Sequence, residues 1–131
     1  MAGASKVPES LRYTKDHEWV LVEGNRARIG ITDYAQDALT DVVFAELPEV
    51  GEEFNTHDSM GVVESVKSVS DIFAPLSGKV VEANGDLEDA PELMNQDPYG
   101  KGWFVVLELA DPSQTKTLLD AAAYREILES H

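Results

Sequence analysis

The sequence predicts a mainly β domain, a compact barrel or sandwich closed by a C-terminal helix. Three observations carry that prediction. Short runs rich in Val, Ile, Phe and Trp recur along the chain, each of strand length. Gly, Pro and Asn-Gly-type dipeptides punctuate them. The apolar period becomes helical for a long stretch only after Asp111-Pro112.

In chain order, residues 1–8 read as a flexible leader containing Pro8. HEWVLVEGNRARIGIT (17–32) reads as a hairpin turning at Gly24-Asn25. Asp33 followed by Gln36 is a capping-box pattern, which predicts a short helix over 33–39. DVVFAEL (41–47) is a strand, ended by Pro48 and Gly51. SMGVVES (59–65) and SVSDIFAP (68–75) are strands on either side of Lys67, and KVVEAN (79–84) is another. A long polar connection follows, with a helical turn expected near Pro91–Met94, and then the buried strand WFVVLEL (103–109). Leu118, Leu119, Ala122, Tyr124, Ile127 and Leu128 make one apolar stripe, predicting a helix over about 114–130 with a break near Asp120. DVVFAELPEVGEE and WFVVLELADPSQT echo one another faintly, a weak repeat signal.

The 131 residues fit a single domain and suffice for a core without staples. A net charge of −15 argues against nucleic acid and anionic membranes, both of which call for basic patches. The same acidity suits protein partners with basic docking faces, or serves only to keep a monomer in solution. The absence of cysteine excludes disulfides and thiolate metal sites, and leaves no internal thiol to attack a disulfide cofactor. No run has the length of a membrane span, and the N-terminus carries no visible secretory or transit signal.

Lys67 is the residue that needs explaining. The alternation Val63-Ser65-Lys67-Val69 would place it on the core face of an unbroken strand, where an unpaired ammonium is costly. A turn at Val66-Lys67 removes the conflict and puts the lysine at an exposed hairpin tip among Ser65, Ser68 and Ser70. Such a tip suits enzymatic acylation of one selected amine, and Glu64 and Asp71 flank it. A plain solvated lysine between solvated acids fits the spacing too. His17, His57 and His131 show neither a nucleophile motif nor metal-ligand spacing.

ESVKSVSDIFAPLSG (64–78) resembles the lipoyl-attachment region of the glycine cleavage system H protein family. YTKDHEW (13–19), IGITDYAQDALTDVVFAELPEVG (29–51) and NQDPYGKGW (95–103) resemble that family's other marked stretches, in the same order. The likeness runs from about residue 9 to the C-terminal helix. It implies a lipoyl/biotinyl-type barrel-sandwich hybrid forming one carrier domain over 1–131, with a short helix in the N-terminal half and a C-terminal helix. Lys67 would carry lipoic acid as an amide. The arm would take the aminomethyl group of glycine from a pyridoxal-phosphate glycine decarboxylase and present it to a tetrahydrofolate-dependent aminomethyltransferase. Dihydrolipoyl dehydrogenase would then reoxidise it. The chain would be a shuttle without catalysis of its own, with a lipoate-attaching enzyme as a further partner. A monomer in the cytoplasm of bacterial type is expected, mitochondrial only where a transit peptide has been removed.

The resemblance also implies site residues. Glu64, Ser65, Val66, Ser68 and Asp71 surround the attachment lysine, and Glu18 is the acid that the family places near the arm. A carboxylate there pairs with the aminomethyl ammonium, and a cleft keeps water from a hydrolysable adduct. An ordinary surface acid beside Trp19 is the other reading of Glu18. Some members carry histidine where this chain has Ala38. Biotin carriers typically flank their lysine with methionines, and 2-oxoacid dehydrogenase lipoyl domains usually place Asp before it. Here the neighbours are Val66 and Ser68. A hydrolase would need two carboxylates fixed across a pocket, and no motif supplies them. A carrier serving lipoate relay would share the same residues.

Overall fold

Nine strands, four short α-helices and one 3-10 helix follow one another in the computed structural model, which describes residues 6–129. The strands form two sheets. The larger runs in the order β1 (Arg12–Tyr13), β2 (Glu18–Glu23), β3 (Arg26–Ile31), β9 (Val105–Leu109), β8 (Gly78–Ala83), β5 (Glu53–Phe54). The smaller has β6 (Ser59–Ser65) between β4 (Val42–Glu46) and β7 (Val69–Phe73). Every named pairing is antiparallel. The two sheets enclose Val20, Ile29, Val63, Ile72, Leu76, Phe104 and Leu107, all essentially without exposure. This is the barrel-sandwich hybrid expected, and burying these alternating side chains supplies its main driving force.

Local chemistry explains the elements. The β2–β3 hairpin turns at Gly24-Asn25 as expected, with Gly24 taking the positive φ of 64°. Helix α1 (Asp33–Leu39) forms where predicted, but its cap is one residue earlier than the capping-box pattern implies. The Thr32 hydroxyl accepts from the Ala35 N–H at 3.2 Å, and Gln36 bonds Asp33 at 2.8 Å instead of reaching back to the cap. The polar connection holds two helical turns, α2 (Asp86–Asp89) and α3 (Leu93–Gln96), which drop Leu87 and Met94 into the core.

The C-terminal helix is shorter than the stripe suggests. Pro112–Thr117 is a 3-10 helix capped by Asp111, and α4 spans Ala121–Glu129. Between them Leu119 is extended and exchanges two backbone bonds with Tyr13, at 2.8 and 2.9 Å. That bridge interrupts the helix near Asp120, whose side chain accepts from the Ala123 N–H at 2.8 Å. Residue 130, the expected end of the helix, and His131 lie outside the described residues.

The expected flexible leader also needs revision at residues 6–8. The Lys6 N–H bonds Asp33 Oδ2 at 2.9 Å, and the Lys6 carbonyl accepts from the Tyr99 hydroxyl. Val7 is buried, and its carbonyl accepts from Arg125 at 3.0 Å. The Pro8 carbonyl accepts from the Tyr13 hydroxyl at 2.6 Å. These residues roof a second apolar cluster of Val7, Leu11, Tyr13, Trp19, Ala121 and Tyr124, which seats α4 on the larger sheet. The rest of the leader, residues 1–5, lies outside the described residues.

Candidate functional site

Strands β6 and β7 pair down to Glu64–Val69, and the Ser65 N–H donates to the Ser68 carbonyl at 2.8 Å. Val66 and Lys67 are therefore the exposed tip of a tight hairpin. The Ser65 hydroxyl oxygen accepts from the N–H groups of Lys67 and Ser68, at 3.2 and 3.0 Å. A serine at this place organises the turn through its own side chain, which small hydroxyl residues do well. The Val66 N–H donates to the Asp41 carbonyl at 3.1 Å, anchoring the tip to the start of β4.

The Lys67 side chain bends toward α1. Its Nζ lies 3.4 Å from the Ala38 carbonyl, in the last turn, where helix carbonyls lack partners and favour a cation. Between the hairpin and α1 runs a cleft of about 300 Å³. Ile31, Leu39, Val63 and Ile72 give it apolar walls, while His17, Glu18, Ser68, Ser70 and Asp71 supply polar groups.

The two acids differ sharply. Asp71 is exposed and accepts from the Ser59 hydroxyl at 3.0 Å. Glu18 is only 2% exposed, so it is not an ordinary surface acid. Its Oε2 accepts from the Phe73 N–H at 2.9 Å and its Oε1 from the Thr14 hydroxyl at 2.9 Å. It thus ties the larger sheet to β7. Desolvation pushes its carboxyl up from 4.5 to about 7, against the pull of those two hydrogen bonds.

The sequence-derived set therefore divides. Lys67, Ser68, Asp71 and Glu18 line the cleft. Ser65 builds the turn, Val66 projects from the tip, and Glu64 lies on the opposite face of the sheet, paired between Phe44 and Val69. Helix α1 does offer the cleft a polar contact despite Ala38, through that residue's carbonyl.

Sequence reasoning missed the wall beside α1. Tyr34 stacks at a tilt on His17, ring centroids 4.6 Å apart, and both border the cleft. His17 takes a positive φ of 68° and meets the Tyr124 hydroxyl at 2.8 Å. A helix N-terminus followed by Tyr, and a histidine between acids, carry no local sign of this meeting. A larger cavity of about 510 Å³ lies on the other side of Glu18, lined by Tyr13, Thr56, His57 and Leu118 among others, and excludes Lys67. Among the described residues no cluster of three or more His, Asp or Glu side chains is placed to hold a metal, and no helix is long and apolar enough to cross a membrane.

The family model for the glycine cleavage H-protein matches residues 11–131. The glycine cleavage system H protein of Symbiobacterium thermophilum is 60% identical over 120 residues, covering 92% of this chain and 94% of its own length. That of Staphylococcus haemolyticus is 57% identical over 122 residues, covering 93% and 97%. The crystal structure of a glycine cleavage system H protein from Mycobacterium marinum superposes with a TM-score of 0.80 at 41% identity, covering 90% of this chain and 95% of that one. The chain belongs to the glycine cleavage H-protein family.

Proposed function

We propose that this protein is the lipoyl carrier of the glycine cleavage system, with lipoic acid held in amide linkage to Lys67. The observation that carries the reading is the place of that lysine. It stands exposed at a hairpin tip whose backbone is pinned by Ser65, and its amine opens onto an apolar-walled cleft. Lys67 would hold the lipoyl group, which would supply a redox-active dithiolane able to carry the aminomethyl group of glycine from a pyridoxal-phosphate decarboxylase to a tetrahydrofolate-dependent aminomethyltransferase, with dihydrolipoyl dehydrogenase as the enzyme that would reoxidise it.

The chain's own residues fit such a group. Attachment needs the neutral Lys67 amine to attack an acyl–phosphate anhydride. With lipoate activated by ATP as its acyl-nucleotide anhydride, a C–N bond forms, the bond from the acyl carbon to the phosphate oxygen breaks, and the nucleoside monophosphate leaves with the electron pair while the amine loses its proton. The product amide is uncharged, so the pull of the Ala38 carbonyl on an ammonium disappears and the side chain is released from α1. Ile31, Leu39, Val63 and Ile72 offer hydrocarbon contact and shed water. Asp71, exposed on the edge strand where the outer face meets the cleft, is the accessible counter-charge for a cationic cargo. Glu18, held near neutrality by burial, loses its proton when a cation enters the cleft. The chain is a carrier domain that catalyses nothing alone, and it works as a monomer.

The test is mass. Protein made in cells supplied with lipoate is expected to gain one lipoyl increment, mapped to Lys67 by peptide fragmentation and lost in Lys67→Arg. The modified protein then supports glycine–bicarbonate exchange by the decarboxylase. Unmodified protein in the presence of a competent lipoate–protein ligase overturns the reading.

A further inference from the structure

The outer face of the small sheet is unlike the rest of the surface. Directly paired residues point the same way, so Phe44, Glu64 and Val69 form one row across β4, β6 and β7, and Glu46, Val62 and Asp71 form the next. Their inner counterparts, such as Val63, enter the core. On the outer rows Phe44 is 48% and Val69 65% exposed, and Val66 at the tip is 69% exposed; Val69 and Asp71, on the edge strand β7, border the cleft as well as this face. Val43 adds to them at 54%, because the register shift between Val42 and Phe44 breaks the alternation and leaves two adjacent apolar residues outside. Four of the five large exposed hydrophobics among the described residues thus gather beside Lys67. Phe and Val at this exposure gain little from folding, and a patch of this kind marks an interaction surface.

We propose that this face is the grip of the enzyme that acylates Lys67, and that this partner meets it with an apolar groove rimmed by basic side chains. The inference rests on the carrier reading of Lys67. Reach selects the occupant. Enzymes that serve the end of a long arm can stand away from the hairpin. The acylating enzyme must bring its donor to Nζ itself, one lysine side chain from the tip, so it necessarily touches Val66 and its neighbours. One side of that tip is walled by α1, against which Nζ rests. The outer face is the open side. Charge selects the partner's chemistry. Glu64 sits inside the apolar row, and Glu46 and Asp71 border it, in a chain of net charge −15. A basic rim would be steered to this face and registered on it, while aromatic and aliphatic contacts hold it.

The experiment follows initial rates of Lys67 lipoylation by a bacterial lipoate–protein ligase with lipoate and magnesium ATP. Phe44→Thr, Val69→Thr and Glu64→Lys are compared with wild type and with Val50→Thr, an exposed apolar site elsewhere. Each face variant is expected to lower kcat/KM by about tenfold through KM, the loss typical of one contact at an interface centre. Glu64→Lys should also lessen the fall of rate with added salt, since Glu46 and Asp71 remain, and Val50→Thr should match wild type. Val69→Thr preserves shape and strand preference, and unfolding midpoints confirm that the variants fold. Rates within about twofold of wild type for all three overturn the docking face and leave the carrier reading intact. A loss confined to kcat also overturns it, since that reports tip geometry instead of docking. Wild-type protein that takes no lipoate overturns both.

Discussion

Tyr124 places its hydroxyl 2.8 Å from Nδ1 of His17, joining residues 107 apart in sequence. The same hydroxyl lies 2.7 Å from Thr32 Oγ1, which caps α1. The C-terminal helix therefore holds both the histidine bordering the cleft and the start of the helix whose far end meets Lys67. The Tyr124 ring stacks on Tyr13 at 4.7 Å, nearly parallel.

Tyr124→Phe keeps that stack and deletes only the bridge. Buried Thr32 and half-buried His17 each lose one partner, which costs about 1–3 kcal/mol. The expected result is a lower urea midpoint together with shifted ring-nitrogen resonances of His17. Unchanged His17 resonances would show that the hydroxyl does not govern the imidazole.

Glu18 makes stability depend on pH in a direction opposite to most carboxylates. Its native value of about 7 exceeds the ordinary 4.5, so between those limits the folded chain keeps a proton that the unfolded chain has released. Stability then falls as pH rises through that window, by about 3 kcal/mol in full. Below about pH 4.5 both states are protonated and the term vanishes. Glu18→Gln cannot titrate, yet it still accepts from the Phe73 N–H. The variant is expected to match wild type near pH 4.5 and to exceed it above about pH 7. Urea midpoints for both proteins across the window check this, and parallel curves would refute it.

The hairpin and its lysine were legible because they violate a local rule. A lysine in phase with Val63 and Val69 conflicts with strand periodicity, and a turn is the cheap resolution. The helix over 33–39 was legible from its polar start, but the cap shifted to Thr32 because Thr32 is also held by Tyr124 from a distant helix. The same remoteness hid the extended Leu119, whose strand-like bridge to Tyr13 overrides a helical stripe. Glu18 was legible as a candidate by resemblance alone. Its burial depends on β7 packing over β2, which no spacing within the HEW stretch encodes.

Ser65 offers a test of the tip. Its oxygen accepts two backbone N–H groups, so Ser65→Ala leaves the amides of Lys67 and Ser68 to water. Because the tip is exposed, the loss of stability stays within about 1 kcal/mol. The local effect is larger. Hydrogen exchange at those two amides is expected to speed up several-fold while exchange at Val63 is unchanged. Equal protection in variant and wild type would mean that the loop is held by the Ser65–Ser68 and Val66–Asp41 backbone bonds without the Ser65 side chain.

Gly61 is required by proximity, not by backbone conformation. It faces Ile72 beside the register shift in β6, and a Cβ there would collide with the Glu46 carbonyl and come 2.8 Å from the Phe104 ring. Neither neighbour yields easily, because one is backbone in β4 and the other is fully buried. Gly61→Ala must therefore push β4 away from β6, with a cost of about 2–3 kcal/mol. Gly24→Ala is the contrasting case. Nothing lies within 4 Å of its Cβ position, but its φ of 64° penalises an L side chain by about 1–2 kcal/mol. The two variants separate in a second observable. Opening β4 moves the hairpin face, so Gly61→Ala is expected to slow acylation of Lys67 even where it remains folded, while Gly24→Ala, at the far turn of β2–β3, leaves that rate alone. Equal acylation rates for both would show that the hairpin keeps its geometry when β4 is displaced.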